Sequence, residues 1–176
     1  MQYVFALVTG LTLSLCSVAP TVPDSNMQAP IADGFDFPVG VPDGDGYYDA
    51  QSFGKNQHLG SDWNGKGGGN SDLGDSVHSI GHGRVRLAED KGRGWGRVVV
   101  VTHRLPDVGG KSRWVESLYA HLDTMAVQPG QILKRGDRVG TIGDAHGAWY
   151  AHLHFEIRVG KGQSVGRGYG RTHGHV

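Results

Sequence analysis

The stretch AHLHFEIRV, at residues 151–159, decides the fold because apolar and polar residues alternate in it without interruption. Side chains of a β-strand point alternately to its two faces, so this pattern predicts a strand whose apolar face packs on a core. The opposite face carries His152 and His154, about 7 Å apart at the usual rise per residue of a strand. That separation suits two different roles at one site. For this stretch alone, a polar outer face that merely contains two histidines is the alternative interpretation.

A second strand, LYAHLD at residues 118–123, repeats this arrangement. Its alternation predicts one apolar face and one face that carries Tyr119, His121 and Asp123. If the two strands are neighbours in a sheet, His121 comes opposite the pair formed by His152 and His154. Taken by itself, His121 is explained more simply as a surface histidine.

The third polar group is HLGSD at residues 58–62. The spacing of His58 and Asp62 would also suit one face of a helix, but the glycine-rich sequence that follows argues against a helix. In an extended chain, positions 58, 60 and 62 point the same way, and Gly60 leaves space for an ion. Imidazole nitrogen and carboxylate oxygen are zinc ligands, and three protein ligands with an open fourth position are typical of a catalytic site.

The rest of the chain consists of short strands and tight turns. Residues 98–101 are four valines, which indicate a fully buried strand. Residues 128–131 (QPGQ) predict a type II turn, and a second turn at 134–137 precedes a strand at 138–142. Thirty glycines, and the absence of any long apolar stripe of helical period, disfavour helices. We therefore predict an all-β fold with sheets packed against one another.

Charge and cysteine content limit the possible functions. The formal net charge is zero, but residues 1–54 contain six Asp and no Lys or Arg, so the remaining chain has an excess of about six positive charges. A basic body suits an anionic polymer such as cell wall, and it is equally consistent with an ordinary solvated surface. Cys16 is the only cysteine, so any metal site must be built from histidine and carboxylate. Nothing in the sequence indicates nucleic-acid recognition.

The first residues resemble an export signal. Residues 3–19 form an apolar run of about the length of a signal-peptide core, short for a membrane span, although the usual positive charge before it is missing. Residues 13–16 (LSLC) resemble a lipobox, with Leu15 in place of a small residue, so a lipid anchor at Cys16 is an alternative. A buried first element of the domain is a further alternative.

Composition divides the chain into four segments. The Pro-, Asp- and Gly-rich segment is predicted to be a linker with a short strand at residues 35–39, and the last segment lacks apolar alternation. The four predicted segments are a leader at 1–19, a linker or N-terminal extension at 20–46, a domain at 47–160, and a mobile or truncated Gly/Arg/His-rich tail at 161–176.

Together the three polar stretches resemble a known family. His-x-x-x-Asp, then Tyr-Ala-His-Leu, then His-x-His-Phe-Glu, in this order, are similar to the lysostaphin/LytM-type zinc endopeptidases that cut peptidoglycan peptides. The resemblance covers about residues 53–159, and it includes GDSV at 74–77, GWGRVV at 94–99 and PGQILKRGDRVG at 129–140. It departs from the family at WYA, residues 149–151, where the family usually has Gly-Pro, so that one groove wall is expected to be bulkier.

The resemblance implies a site and a fold. His58, Asp62 and His154 would bind one Zn²⁺, and His121 and His152 would be the catalytic histidines that are not ligands. The fold would be mainly antiparallel β-sheets packed as a sandwich or barrel-sandwich hybrid of the duplicated hybrid motif type, with a substrate groove. The implied function is an exported zinc endopeptidase, a monomer located in the periplasm, cell envelope or outside the cell.

Several details stay open at this stage. Tyr150 and His146 are candidates for the groove, and we assign the base to His152 and the oxyanion stabiliser to His121. The bond that is cut can be a glycyl-glycine bridge or a D-amino-acid cross-link around diaminopimelate. The alternative function is a non-catalytic activator of a wall hydrolase, or a wall-binding module, with the same fold; activators of that kind have lost zinc ligands that this chain retains. A further His-x-His, at residues 173–175, is predicted to have no metal role because it lies in the glycine-rich tail.

Overall fold

The computed structural model describes residues 29–170. The predicted leader, including Cys16, and the histidine pair of the tail, His173 and His175, lie outside the described residues. Within residues 29–170 the structure contains no α-helix, and its one helical element is a 3-10 turn at Lys55–Gln57. No helix in this part of the chain is long and apolar enough to cross a membrane.

The part of the chain that the structure describes contains nine strands. In chain order they are β1 Tyr47–Gln51, β2 Ser61–Gly65, β3 Ser76–His78, β4 Gly83–Asp90, β5 Arg97–Val108, β6 Lys111–Met125, β7 Ile132–Leu133, β8 Arg138–Ile142 and β9 Leu153–Val159. The strand predicted at residues 138–142 is β8, and the turns at 128–131 and 134–137 are both present. The all-β prediction is confirmed.

The nine strands are hydrogen-bonded into one antiparallel sheet. Its main path runs β1-β2-β9-β6-β5-β4-β7, while β8 pairs with β6 and β3 pairs with β8. The long strand β6 therefore joins the main path of the sheet to the branch formed by β8 and β3, because it pairs with β5, β9 and β8. The path places β9 between β2 and β6, so that the polar stretches noted in the sequence come together on neighbouring strands.

The four valines of β5, residues 98–101, are fully buried, as predicted. The odd-numbered pair packs in the larger core cluster with Tyr119, and the even-numbered pair packs in a second cluster with Leu118. Both faces of β5 are thus covered, which explains why its sequence does not alternate. Complete burial of a valine side chain contributes about 1.5–3 kcal/mol, so this strand is a main source of stability.

The segment before β1 packs along the domain without forming the strand predicted at residues 35–39. That prediction was wrong because Pro38 has no backbone N–H to donate to a neighbouring strand. Other contacts hold the segment in place. The backbone N–H of Asp36 donates to a carbonyl of the loop between β3 and β4 at 2.8 Å, and the ring of Phe37 packs edge-on against Trp63 with centroids 5.2 Å apart.

The chain after β9 returns to the sheet, which differs from the mobile tail predicted to begin at residue 161. The backbone N–H of Gly162 donates to the Glu116 carboxylate at 2.7 Å, and the Arg158 guanidinium donates to the carbonyls of residues 164–165 at 2.7 and 2.6 Å. Hydrogen bonds to its backbone hold this segment to the domain. It therefore needs no apolar face, and its sequence shows no apolar alternation.

Candidate metal centre

Three side chains converge where β2 meets β9. Asp62 on β2 lies directly opposite His154 on β9, and His58 comes from the turn that precedes β2. His58 Nε2 lies 2.9 Å from His154 Nδ1 and 3.2 Å from Asp62 Oδ1, and His154 Nδ1 lies 3.0 Å from Asp62 Oδ1. Both histidines are buried and the carboxylate is half-buried. The structure therefore brings together the three residues that the sequence analysis proposed as ligands.

Each of these histidines is oriented through its other nitrogen. The Nδ1–H of His58 donates to the Gln51 carbonyl at 3.1 Å, and the Nε2–H of His154 donates to the Glu156 carboxylate at 2.8 Å. Because a carbonyl and a carboxylate only accept, the inward nitrogens of the neutral imidazoles carry lone pairs. Two nitrogen lone pairs and the oxygen of Asp62 thus face one another, an arrangement that calls for a cation between them.

The spacing of the three donor atoms also fits a metal ion. Tetrahedral zinc with ligands at about 2.0–2.1 Å places neighbouring ligand atoms roughly 3.3–3.4 Å apart. The observed separations of 2.9–3.2 Å are only slightly shorter. The donor set, two imidazoles and one carboxylate, is one that zinc takes in catalytic sites.

A buried ion pair supports the His154 ring from behind. The Arg158 Nε donates to Glu156 Oε2 at 2.8 Å, and both residues are 1% exposed. The carboxylate is thereby held in the position from which it accepts the His154 Nε2–H. Such outer partners fix the tautomer and the orientation of a metal ligand.

The electrostatics of the cluster favour a positive charge at its centre. Burial raises the pKa of Asp62, but hydrogen bonds with His154 and His58, which form when an inward nitrogen is also protonated, outweigh burial and hold the pKa of Asp62 well below its usual range. Burial lowers the pKa of His154, but hydrogen bonds with Asp62 and Glu156 raise it above its ordinary value. Burial likewise raises the pKa of Glu156, which His154 and Arg158 bring below its usual range. A proton and a metal ion therefore compete for the same position.

Gly60 has a role other than the space for an ion that the sequence suggested. A Cβ atom at this position would lie 2.5 Å from the Phe155 carbonyl oxygen, 2.9 Å from Glu156 Cγ and 3.0 Å from His154 Cε1. The missing side chain therefore allows β9 to approach closely, and it leaves room for the imidazole and the carboxylate that orient each other.

His121 reaches the centre through an interruption of β6. The sequence predicted that Tyr119 and His121 share a face, and this was wrong. Tyr119 pairs with Phe155 and packs in the larger core cluster, whereas the His121 ring lies 5.5 Å from the His154 ring between centroids. Between two pairings with β5, β6 contains one residue more than its partner, and His121 has φ 62°. This bulge turns the imidazole to the face that carries the ligands.

His121 and His152 stand side by side next to the ligands, with ring centroids 4.7 Å apart. Their Nδ1–H groups donate to the backbone carbonyls of Trp95 and Tyr150, at 3.1 and 2.7 Å. The Nε2 atom of each neutral ring is thus a free acceptor, and that of His152 lies 3.7 Å from Asp62 Oδ1. Burial, and then the neighbouring histidines, lower the pKa of His121 to about 3. Both rings lie beside the ligand cluster, and the lowered pKa keeps His121 uncharged near neutral pH.

The cluster lies in a cavity of about 540 Å³ that is open to solvent. Tyr150, a predicted groove candidate, lines it and is 75% exposed. His146, the other candidate, is not among the lining residues, and its Nε2 lies 2.9 Å from the Asp90 carboxylate. Trp149 also lines the cavity, as the departure at residues 149–151 led us to expect.

Sequence reasoning missed several residues of the cavity wall. Trp95 lies edge-on to His154 at 5.3 Å between centroids, and Arg167 and Tyr169 come from the predicted tail. An aromatic residue between two glycines, Gly-Trp-Gly, was the signal that could have indicated Trp95. The other two lie in a stretch whose composition carries no such signal. The further wall residues that the sequence analysis did not single out are Gln51, Arg93, Gly94 and Gly168.

The described residues thus form an antiparallel β fold with a His, Asp, His group in an open cavity. This combination places the chain in the class of β proteins that have a candidate metal site of the catalytic type. Residues 56–167 match the model of peptidase family M23, and the chain belongs to this family. The resemblance to lysostaphin/LytM-type endopeptidases is thereby confirmed at the level of the family.

Two curated proteins and one solved structure illustrate the relationship. The chain is 36% identical over 92 residues to "Murein hydrolase activator NlpD" of Escherichia coli strain K12, a match that covers 52% of this chain and 22% of that protein. It is 33% identical over 92 residues to "Lipoprotein NlpD" of Yersinia enterocolitica, covering 52% of this chain and 84% of that protein. Lysostaphin from Staphylococcus simulans has the same fold, with a TM-score of 0.53 and 22% identity over 67% of this chain and 45% of that one.

Proposed function

We propose that the protein is a zinc-dependent endopeptidase that hydrolyses peptide bonds in peptidoglycan cross-links or stem peptides. The observation that carries the proposal is the set of three inward-facing donor atoms, with two further neutral imidazoles beside it in an open cavity. Membership of a peptidase family supports the reaction class.

His58, Asp62 and His154 would hold the zinc ion. Two nitrogens and one oxygen leave a fourth position toward the cavity, which is the pattern of catalytic zinc sites. When bound there, zinc would supply Lewis acidity toward a water molecule and toward a peptide carbonyl. The carboxylate of Glu156 would keep His154 in the tautomer that binds a metal.

The two remaining histidines would move protons. We assign to His152 the acceptance of a proton from the attacking water, because its Nε2 faces the Asp62 carboxylate, which favours the imidazolium that forms. We assign to His121 the stabilisation of the oxyanion or the donation of a proton to the leaving amine. Since its Nδ1–H donates to the Trp95 carbonyl, this role requires a second proton on Nε2, which the pKa of about 3 opposes until negative charge develops on the substrate.

We further propose that the protein works in the cell envelope as a monomer. The name of the Yersinia enterocolitica relative, a lipoprotein, supports an envelope location, and so does the predicted leader at residues 1–19. The excess of positive charge after residue 54 suits an anionic wall polymer.

A second candidate function is activation of another wall hydrolase without catalysis. The name of the Escherichia coli relative, a murein hydrolase activator, favours it. The donor cluster favours catalysis, because an activator that acts by binding alone needs no inward-facing lone pairs with a fourth position open to substrate.

Zinc analysis and a cleavage assay distinguish the two functions. The full-length protein should contain about one zinc per chain and should release peptide fragments from purified wall sacculi, and a chelator should stop the release. Mass spectrometry of fragments from defined muropeptides identifies the bond. A protein that lacks zinc and cleaves nothing, but stimulates a separate wall hydrolase, would instead establish the activator function.

A further inference from the structure

Two arginines, Arg93 and Arg167, line the same cavity as the candidate ligands. Asp62 is the only carboxylate among the lining residues in the described part of the chain, and it belongs to the candidate ligand group with His58 and His154. The wall therefore carries a net positive charge even before a cation binds. A concave, positively charged wall concentrates anions.

These two arginines differ from most others in the chain. Arg86 and Arg158, for example, are paired with buried carboxylates. Among the arginines of residues 29–170, only Arg93, Arg113 and Arg167 have a side chain that makes no hydrogen bond, ion pair or ring contact. Two of these three lie in the cavity, and Arg113 lies outside it on β6. The guanidinium groups in the cavity are thus available to a ligand.

The backbone on each side of these side chains is fixed. Both arginines are the centre of a Gly-Arg-Gly tripeptide, at residues 92–94 and 166–168, and all four glycines have positive φ, between 74° and 102°. The indole N–H of Trp149 donates to a glycine carbonyl of the first tripeptide at 2.9 Å, and that of Trp95 donates to one of the second at 3.2 Å. A backbone that is already held lowers the conformational-entropy cost of binding, which is then mainly that of ordering the two side chains.

We propose that Arg93 and Arg167 bind carboxylate groups of the peptide substrate, so that the cavity selects an anionic stem peptide over an uncharged glycyl bridge. A guanidinium group matches a carboxylate with two parallel N–H donors. The inference rests on the proposed function, since it names the substrate class of that site. Two arginines that only increase solubility would have no reason to share the cavity that contains the donor cluster.

Two synthetic peptides test the selection. One is a diaminopimelate-containing stem peptide with free carboxylates, and the other is the same peptide with those carboxylates amidated. Binding to the zinc-loaded full-length protein is followed by stopped-flow fluorescence, because Trp95 and Trp149 line the cavity, and fragment release is followed in parallel. The variants are Arg93→Gln, Arg167→Gln and both together, with Arg113→Gln as the matched control.

The wild type should bind the free-carboxylate peptide more tightly than the amidated one. Each cavity variant should weaken binding of the free peptide about tenfold, as expected for a charge-assisted hydrogen bond, and leave the amidated peptide unaffected. The control variant should behave as wild type, and added salt should reduce the preference. Equal binding of the two peptides by the wild type, or an equal loss with Arg113→Gln, would overturn the inference.

Binding and cleavage separate this inference from the proposed function. If neither peptide is cleaved while the free-carboxylate preference is present and depends on the two arginines, the carboxylate site stands and the endopeptidase function does not. If both peptides are cleaved equally well and the cavity variants change neither rate nor binding, the endopeptidase function stands and the carboxylate site does not.

Discussion

Buried histidines occur at two places in this sheet, and they differ in whether the second ring nitrogen has a hydrogen-bond partner within the protein. His103 on β5 is fully buried, with Nδ1 3.0 Å from the His82 carbonyl and Nε2 2.7 Å from the Ser117 hydroxyl. Both of its nitrogens are therefore satisfied within the protein. In the candidate metal centre, one nitrogen of His58 and one of His154 is satisfied in the same way, while the other nitrogen of each faces a further acceptor.

The comparison teaches that burial alone does not identify a functional histidine, whereas an account of its hydrogen bonds does. The His103 network continues from the Ser117 hydroxyl to that of Tyr119 at 3.0 Å, which accepts the N–H of Ile80 at 3.0 Å. Every polar group in it has a partner, as a structural network requires. In the metal centre, the inward donor atoms have a favourable partner only when a cation or a proton lies between them.

The largest effect that would sharpen this contrast is expected for His154→Ala. Removing one of three ligands should reduce bound zinc from about one per chain to almost none, and should bring wall cleavage to background. Elemental analysis and sacculus digestion measure the two losses. His78→Ala, which changes a histidine outside the cavity lining, is the control and should retain zinc and cleavage. Unchanged zinc content in His154→Ala would refute the ligand assignment.

The next largest effect separates ligands from proton carriers. His121→Ala and His152→Ala should retain zinc, because neither residue belongs to the converging group, while kcat/KM should fall about 10²–10⁴-fold. Steady-state kinetics on a defined muropeptide, with zinc content measured on the same samples, checks this. Loss of zinc from either variant would show that the ring is a ligand and not a proton carrier.

A smaller effect is expected for the layer behind the ligands. Glu156→Gln removes the charge that holds the His154 tautomer, and it should lower zinc affinity about 10–100-fold, measured by competition with a chelator of known affinity. Glu116→Gln is the matched control, since Glu116 is also a fully buried carboxylate paired with an arginine, Arg86, and does not contact a candidate ligand. Equal zinc affinity in Glu156→Gln and wild type would show that the carboxylate does not support the site.

His103→Gln is expected to leave zinc binding unchanged. It should instead change the pH dependence of the free energy of unfolding. Burial lowers the pKa of His103 to about 4 from an ordinary 6.5. Between these values the unfolded chain binds the proton more readily, so the free energy of unfolding falls as the pH drops from 6.5 to 4. The loss attributable to this residue is about 3 kcal/mol at pH 4.

Denaturant unfolding of the metal-free proteins at several pH values measures this loss. His103→Gln should be less stable than wild type near pH 7 and should show a shallower decline toward pH 4. The use of metal-free samples removes the pH dependence that zinc binding would add. If the free energy of unfolding fell equally steeply with pH in the two proteins, His103 would not be the buried, uncharged histidine described above.

Regular alternation made much of the fold predictable from the sequence. The division of β9 into two faces and the burial of residues 98–101 follow from local pattern, because in these strands each residue takes the next position of a regular pleat. The pattern did not predict that the polar face of β9, where Glu156 and Arg158 are each 1% exposed, is buried more fully than the apolar face, where Val159 is 53% exposed. The grouping of His58, Asp62 and His154 was predictable because the three motifs, in their order along the chain, resemble those of a known family whose ligand set they imply. Their roles as ligands stay predictions, as do the roles of His121 and His152.

The parts that were not predictable depend on single backbone changes. One extra residue in β6 turns His121 away from the face of Tyr119, and no local pattern marks a non-glycine residue that adopts positive φ. The return of residues 161–170 to the cavity depends on hydrogen bonds with the Glu116 carboxylate, which lies 46 residues before Gly162, and with the Arg158 guanidinium. Polar contacts of this kind leave no periodicity for sequence reasoning to detect.

Anomalous diffraction at the zinc edge from crystals of the zinc-loaded full-length protein tests the central claim most directly. We predict one peak within about 2.0–2.2 Å of His58 Nε2, a carboxylate oxygen of Asp62 and His154 Nδ1, with the fourth position facing the cavity. A peak bound to other residues, or a fourth protein ligand that closes the site, would contradict the account.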